Sequence, residues 1–261
     1  MGVLNVTPDS FFDGGIHGTT EAAVAHGMQM VAEGADIVDV GGESSRPGAE
    51  PVSLDEELAR VVPVVEALAG HVRLSVDTVK PQVAVAALAA GASLVNDISA
   101  SSALSEVARR AGAGWVAMHM QGTPRTMQAD PHYDNVVAEV YAFVLAQAAA
   151  ALAAGVPEVW VDPGIGFGKT LAHNLSLLHH LGELVEAAGE LGCAGVMVGT
   201  SRKGFLGLLA AGPGQEPAPL EERAEGSLAT AVAAMVAGAR LLRVHDVAPT
   251  VQAARLYRPA A

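Results

Sequence analysis

Short apolar runs recur along the chain, and each one ends in polar residues. The run at 3–6 leads into Thr7-Pro8-Asp9-Ser10, that at 37–40 into Gly41-Gly42-Glu43-Ser44-Ser45-Arg46, and that at 72–76 into Asp77-Thr78. Residues 93–95 lead into Asn96-Asp97, 115–118 into His119, and 159–161 into Asp162-Pro163-Gly164. The last two runs, 196–198 and 241–242, lead into Gly199-Thr200-Ser201-Arg202-Lys203 and Arg243-Val244-His245-Asp246. Runs apolar on both faces are the mark of parallel strands covered by helices. Helices are expected between them, near 21–33, 54–69, 80–90, 103–111, 134–154, 172–189, 221–238 and 248–257. Strand alternating with helix predicts a parallel sheet, and eight repeats predict closure into a (β/α)8 barrel, with an open doubly wound sheet as the alternative. In such a barrel the active site is built from the C-terminal ends of the strands. The polar residues above are therefore its rim.

Local signals refine this picture. Thr19 or Thr20 can cap the first helix, and Ser53-Leu54-Asp55-Glu56 reads as a capping box for the second. Pro63 within that helix is expected to kink it or remove a turn. The connections after strands 1 and 2 are long and polar, with Gly14-Gly15 and Pro47-Gly48, and read as mobile loops that cover the rim.

Composition narrows the class. The 261 residues fit one barrel, so residues 1–261 are read as a single domain. One cysteine, Cys193, excludes an intramolecular disulfide and fits a reducing cytoplasm. The N-terminal residues carry no cationic stretch of the signal-peptide kind, and the Ala-rich stretches 142–156 and 227–239 read as buried helix faces rather than membrane spans. A net charge of −13 excludes a general nucleic-acid binder. Yet Arg46, Arg202, Lys203 and Arg243 all fall at strand ends, a small positive focus that suits one compact anion.

The rim residues then suggest chemistry. The segment from Asp162 to Thr170 fails the phosphate-binding G-x-x-x-x-G-K-[ST] pattern, because Pro163 stands at its first glycine, and reads as a glycine turn that presents Asp162. Asp77, Asn96 and Asp162 would suit a heterocycle with adjacent N–H donors and a carbonyl. Each could instead cap a helix, but three on one rim favour a ligand. Arg243 and His245, two apart on strand 8, face the same side where barrels often bind phosphate, and Ser201-Arg202-Lys203 could extend that anion site. Asn5 could offer an oxygen to Mg²⁺. His119 reads as a hydrogen-bonding group and His179-His180 as incidental; no nucleophile elbow or Cys–His pair is present.

These motifs together resemble dihydropteroate synthase of the folate pathway, from Val3 to about Val247. The resemblance is carried by Gly2 through Phe11, Gly41 through Ala49, Ser75 through Thr78, Asn96-Asp97, Met118 through Gly122, Asp162 through Lys169, Ser201 through Lys203, and Arg243 through Asp246. It implies condensation of 6-hydroxymethyl-7,8-dihydropterin pyrophosphate with p-aminobenzoate, assisted by Mg²⁺. Asp77, Asn96, Met118, Asp162 and Lys203 would hold the pterin. Asn5, Ser45, Arg46, Arg243 and His245 would hold the pyrophosphate, with Asn5 near the metal. Phe11, Pro47, Phe167 and Lys203 would surround p-aminobenzoate. Lys203, Asp77, Asp9 and Arg46 would be catalytic, with Asp9, Phe11 and Asp13 in the first loop. A homodimer and sulfonamide sensitivity are further implications. Relative to the family pattern the chain begins almost on its first strand, Phe12 and Ser45 replace a smaller residue and a threonine, and Gly204 stands where serine is common. Two other readings remain at this point: a pterin methyltransferase barrel and a catalytically silent pterin-binding paralogue.

Overall fold

The computed structural model of the chain describes residues 1–6, 15–46, 48–211 and 214–257, and the side chains of all of these except 15–19. Its strands are β1 (Gly2–Asn5), β2 (Ile37–Gly41), β3 (Arg73–Asp77), β4 (Leu94–Asp97), β5 (Gly114–Met118), β6 (Glu158–Asp162), β7 (Gly195–Val198) and β8 (Leu241–Leu242). They lie parallel and in chain order in one sheet. Beyond β8 the chain returns to β1: Val3 N–H donates to the Val244 carbonyl at 2.9 Å, and Val244 N–H donates to that of Met1 at 3.0 Å. That return makes the sheet a barrel and removes the open-sheet alternative.

Alternation along each strand decides what fills the barrel and what faces the helices. Val38 and Val40 of β2, Val159 and Val161 of β6, and Val196 and Val198 of β7 join the large core against the helices. Their neighbours point inward. Met1, Ile37, Leu94, Val116, Met197 and Leu241 form an apolar layer with Trp160 inside the barrel. Beneath it Arg73 pairs with Glu158, which also accepts from Trp160 Nε1 at 2.7 Å. Towards the C-terminal end, the inward positions turn polar: Asp39, Ser75, Asp77, Asn96 and Asp162 are all buried.

The helices are α1 (Gly15–Ala32), α2 (Leu54–Leu68), α3 (Pro81–Ala89), α4 (Ser102–Ala111), α5 (Val136–Ala154), α6 (Leu171–His179), α7 (Leu181–Leu191), α8 (Gly204–Ala210), α9 (Ala224–Val236) and α10 (Val247–Tyr257). Several depart from the sequence expectation. α1 begins at Gly15, so Thr20 lies inside it rather than capping it. Ser53 does cap α2, accepting from Glu56 N–H at 3.3 Å, but the Glu56 side chain pairs with Arg60 instead of closing the box. α2 runs unbroken past Pro63. The helix expected over 172–189 is two, broken at His180, whose Nδ1 lies 2.8 Å from the Ser176 carbonyl. α8 is too short, at seven residues, to show a helical period in sequence. By length and composition α5 is apolar enough to cross a membrane, but Val136, Val140, Val144, Ala148 and Ala151 recur on one face and are buried in the barrel's shell.

Asp97 shows how the pleat separates site from scaffold. Asn96 points into the barrel, whereas the Asp97 carboxylate points outward and accepts from Ser99 N–H (2.8 Å), Ser99 Oγ (2.5 Å), Ser101 N–H (2.7 Å) and Trp115 Nε1 (3.2 Å). It organises the start of α4. Asp97→Ala strands these donors and should lower unfolding free energy by about 3 kcal/mol; equilibrium denaturation tests this, and a loss under about 1 kcal/mol would contradict the assignment.

Candidate active site at the C-terminal rim

The centre of the rim is an ion cluster. Arg243 donates through Nε to Asp39 Oδ2 at 2.7 Å and through Nη2 to Asp77 Oδ2 at 2.6 Å. Burial pulls the guanidinium pKa down, but the charges of Asp39 and Asp77 outweigh it and hold the group above its ordinary value. Asp77 is pushed up to about 7, chiefly by burial, against the pull of Arg243 and with Asp39, Glu57 and Asp97 adding to the rise. Asn96 donates through Nδ2 to Asp39 Oδ2 at 2.9 Å, which leaves its Oδ1 buried without a partner among the described residues.

Across the barrel Asp162 accepts from Gly164 N–H through Oδ1 at 2.7 Å. Burial raises its pKa, opposed by Lys203 and other cations. Lys203 sits before α8 and donates to the Ile165 carbonyl; its Nζ lies 4.4 Å from the centre of the Phe167 ring, a cation–π contact. Burial lowers Lys203 to about 8. Met118 and Phe167 pack with Ile98 and Met127, next to Met120, as an apolar patch beside these polar groups. A flat, polar-edged molecule has both a face and an edge to meet here.

The anion side is only partly as expected. His245 N–H donates to Ser201 Oγ at 3.1 Å and its Nδ1 lies 3.0 Å from the same hydroxyl. Burial, with Arg243 and Arg202 adding, lowers its pKa to about 4, so the ring is neutral at pH 7. Arg202, expected to extend the anion site, has a partner of its own. Its guanidinium is engaged by Asp246 at 3.0 and 2.5 Å, and its backbone adopts φ 57°. Arg46 is exposed and Ser45 half-buried on the loop after β2. The base of that loop is pinned: Glu43 accepts from Val52 N–H at 3.2 Å and from Lys80, which also pairs with buried Glu57. Asn5 ends β1, with its Oδ1 about one van der Waals contact from where a Gly41 side chain would start. Asp9, Phe11, Phe12, Asp13 and Pro47 lie outside the described residues.

Two residues escaped the sequence reading. Asp39 had a signal, an acid in phase with Gly41 inside an apolar run. Lys169 had none beyond its glycines. It is 3% exposed, its Nζ lies 3.0 Å from His119 Nδ1, and it donates to the carbonyls of His119 and Phe167 at 3.3 and 3.0 Å. Burial lowers Lys169 to about 7 and His119 to about 3. Together they tie the loop after β5 to the glycine turn after β6.

With this geometry in view, comparison with known proteins is decisive. Residues 1–245 match the family described as pterin binding enzyme. The Escherichia coli (strain K12) dihydropteroate synthase is 48% identical over 98% of this chain and 89% of its own length. The chain belongs to the dihydropteroate synthase family of pterin-binding enzymes. A Xanthomonas albilineans dihydropteroate synthase structure with 4-aminobenzoic acid is similar with a TM-score of 0.87 and 48% identity, covering 98% of this chain and 90% of that one. A Yersinia pestis dihydropteroate synthase in complex with a sulfonamide drug has a TM-score of 0.87 and 45% identity, over 98% and 91%.

The glycine turn makes a direct test. At Gly164, with φ 65°, a Cβ would stand 1.9 Å from the His119 carbonyl oxygen, a clash with backbone that cannot yield. Gly164→Ala should cost about 3 kcal/mol of stability and displace Asp162. Denaturation and pterin-binding titrations read both effects. A variant with wild-type stability and binding would show that the turn is not rigid.

Proposed function

We propose that this chain is a dihydropteroate synthase that joins 6-hydroxymethyl-7,8-dihydropterin pyrophosphate to p-aminobenzoate with release of pyrophosphate, by a dissociative, SN1-like displacement. The family membership supports the reaction. The observation that carries the site assignment is Asn96 Oδ1, an acceptor buried without a partner among the described residues, on the same rim as the carboxylates of Asp77 and Asp162 and the Lys203 donor. Pterin's amino and lactam N–H groups require such acceptors. The apolar patch of Met118 and Phe167 suits the ring face. With all these charged groups present, neither a silent paralogue nor a methyltransferase is needed to explain the rim.

An aromatic amine is uncharged at neutral pH and already nucleophilic, so the chain needs no base to activate it. The hard step is the departure of pyrophosphate, where negative charge grows on the leaving group. Arg243, His245 and Arg46 are the residues that would stabilise it. The carboxylates of Asp77 and Asp162 favour positive charge spreading from the reacting carbon into the pterin. Mg²⁺ would supply additional neutralisation of the pyrophosphate when bound. The donor set fits that role: among the described residues no cluster of His, Cys, Asp or Glu forms a dedicated cage, and Asn5 offers one hard oxygen, as expected of an ion that binds largely through substrate phosphates. Phe167 and Lys203 would border p-aminobenzoate, joined by Phe11 and Pro47, with Asp9 in the first loop and Ser45 in the second. A side chain at Gly204 would meet nothing within 4 Å, so the missing hydroxyl there costs no packing. A cytoplasmic homodimer that sulfonamides inhibit in competition with p-aminobenzoate completes the proposal.

The assay is dihydropteroate formation from both substrates with Mg²⁺. Lys203→Ala and Arg243→Ala should each lower kcat/KM by roughly 100-fold or more; turnover near wild type in both would refute the site. Because burial holds Lys203 near 8 and its charged form is the useful one, kcat/KM should fall as pH rises through about 8. Lys203→Arg should remove that limb below pH about 9; an unchanged limb would assign it to another group.

A further inference from the structure

The acceptors on the rim depend on a residue beneath them. Asp39 lies at the middle of β2, fully buried, in register with Ser75 of β3. Its Oδ2 receives two bonds, from Asn96 Nδ2 at 2.9 Å and from Arg243 Nε at 2.7 Å. A carboxylate in this pairing only accepts. An amide facing it must therefore turn its NH₂ towards it, and the Asn96 carbonyl oxygen is directed the other way. That oxygen is buried and has no partner among the described residues, and the same holds for Asp39 Oδ1 and Ser75 Oγ. An orphaned buried acceptor costs stability unless a ligand donor meets it. Were the amide reversed, donor would face donor at the ligand, and acceptor would face acceptor at Asp39. The same Oδ2 also fixes the guanidinium of Arg243, whose Nη2 is held by Asp77.

We propose that Asp39 is a positioning residue for pterin recognition: by accepting Asn96 Nδ2 and Arg243 Nε on one oxygen, it makes Asn96 present its carbonyl oxygen to the N–H donors of the pterin ring. The inference rests on the pterin-binding reading of the rim. Asp39 touches no substrate; it acts through Asn96 and Arg243. Its effect belongs to the pterin and not to p-aminobenzoate, which would lie towards Phe167 and Lys203.

Paired substitutions at position 39 test this. Asp39→Asn keeps an oxygen where Oδ2 accepts from Asn96 Nδ2 and Arg243 Nε, whereas Asp39→Leu removes that acceptor and frees the amide to reverse. The probe is 6-hydroxymethyl-7,8-dihydropterin pyrophosphate, with binding read by calorimetry and KM measured for both substrates on the whole chain. Asp39→Leu should weaken pterin binding about 30-fold or more, and Asp39→Asn should stay within about fivefold of wild type. In the Asn96→Ala background, Asp39→Leu should cost less than about fivefold further. The KM for p-aminobenzoate should stay within about twofold throughout. The proposal is overturned if Asp39→Leu binds like wild type, if Asp39→Asn binds as weakly as Asp39→Leu, if the effect of Asp39→Leu is undiminished in the Asn96→Ala background, or if both KM values rise together. Wild-type protein that binds no pterin would instead overturn the reading of the rim itself, and the proposal with it.

Discussion

The site is organised around one largely buried guanidinium. Arg243 enters the barrel between Asp39 and Asp77, and none of the three could occupy that interior alone. Barrel interiors are ordinarily filled by branched aliphatic side chains, and the lower layer here is, from Ile37 to Leu241. Above it, charges replace the aliphatics. Removing one member of such a cluster leaves an uncompensated charge in a low dielectric, at a cost of about 3–5 kcal/mol. The geometry of the rim is therefore set from below. Asp39 holds Asn96 and Arg243, and Arg243 holds Asp77.

The same cluster gathers several of the few cations of an acidic protein. The chain carries a net charge of −13; Arg243 and Lys203 lie at the strand ends, Arg243 held by Asp39 and Asp77, just as Arg202 is held by Asp246 and Lys80 by Glu43. Local charge matters more than net charge when low-dielectric walls focus the field. A neutral His245 beside Arg243 adds hydrogen-bonding capacity without adding repulsion between cations.

Two kinds of loop surround this centre. The turn after β6 is held by its own chemistry: Lys169 donates to two carbonyls, Tyr133 OH donates to the Gly168 carbonyl at 2.8 Å, and Gly166 N–H donates to Asn174 Oδ1 at 2.7 Å. That rigidity suits a segment that presents Asp162 and Phe167 in fixed places. The loop after β2 is anchored at its base by Glu43, while Arg46 stays exposed.

Much of this was legible in the chain. Eight apolar runs with polar ends predict a parallel barrel because strand and helix impose different periods on side chains, and because a barrel puts its chemistry where the strands stop. That rule puts Asp77, Asn96, Asp162, Lys203, Arg243 and His245 at strand ends, and the structure has all six at or just beyond the C-terminal ends of strands. Helix limits were less legible: His180 breaks a segment whose apolar period continues through it, and α8 is shorter than a period needs. Sequence also placed Arg202 with the anion site, because position along a strand says which face a residue takes but not which partner it finds. Only the closed tertiary structure brought Asp246 to Arg202, Lys169 to His119, and Asp39 beneath Asn96 and Arg243, across separations of 44, 50, 57 and 204 residues. Local pattern determines strands, their order and their exposed ends; the pairing of buried charges is decided by which strands the barrel sets side by side and which residues its interior brings together.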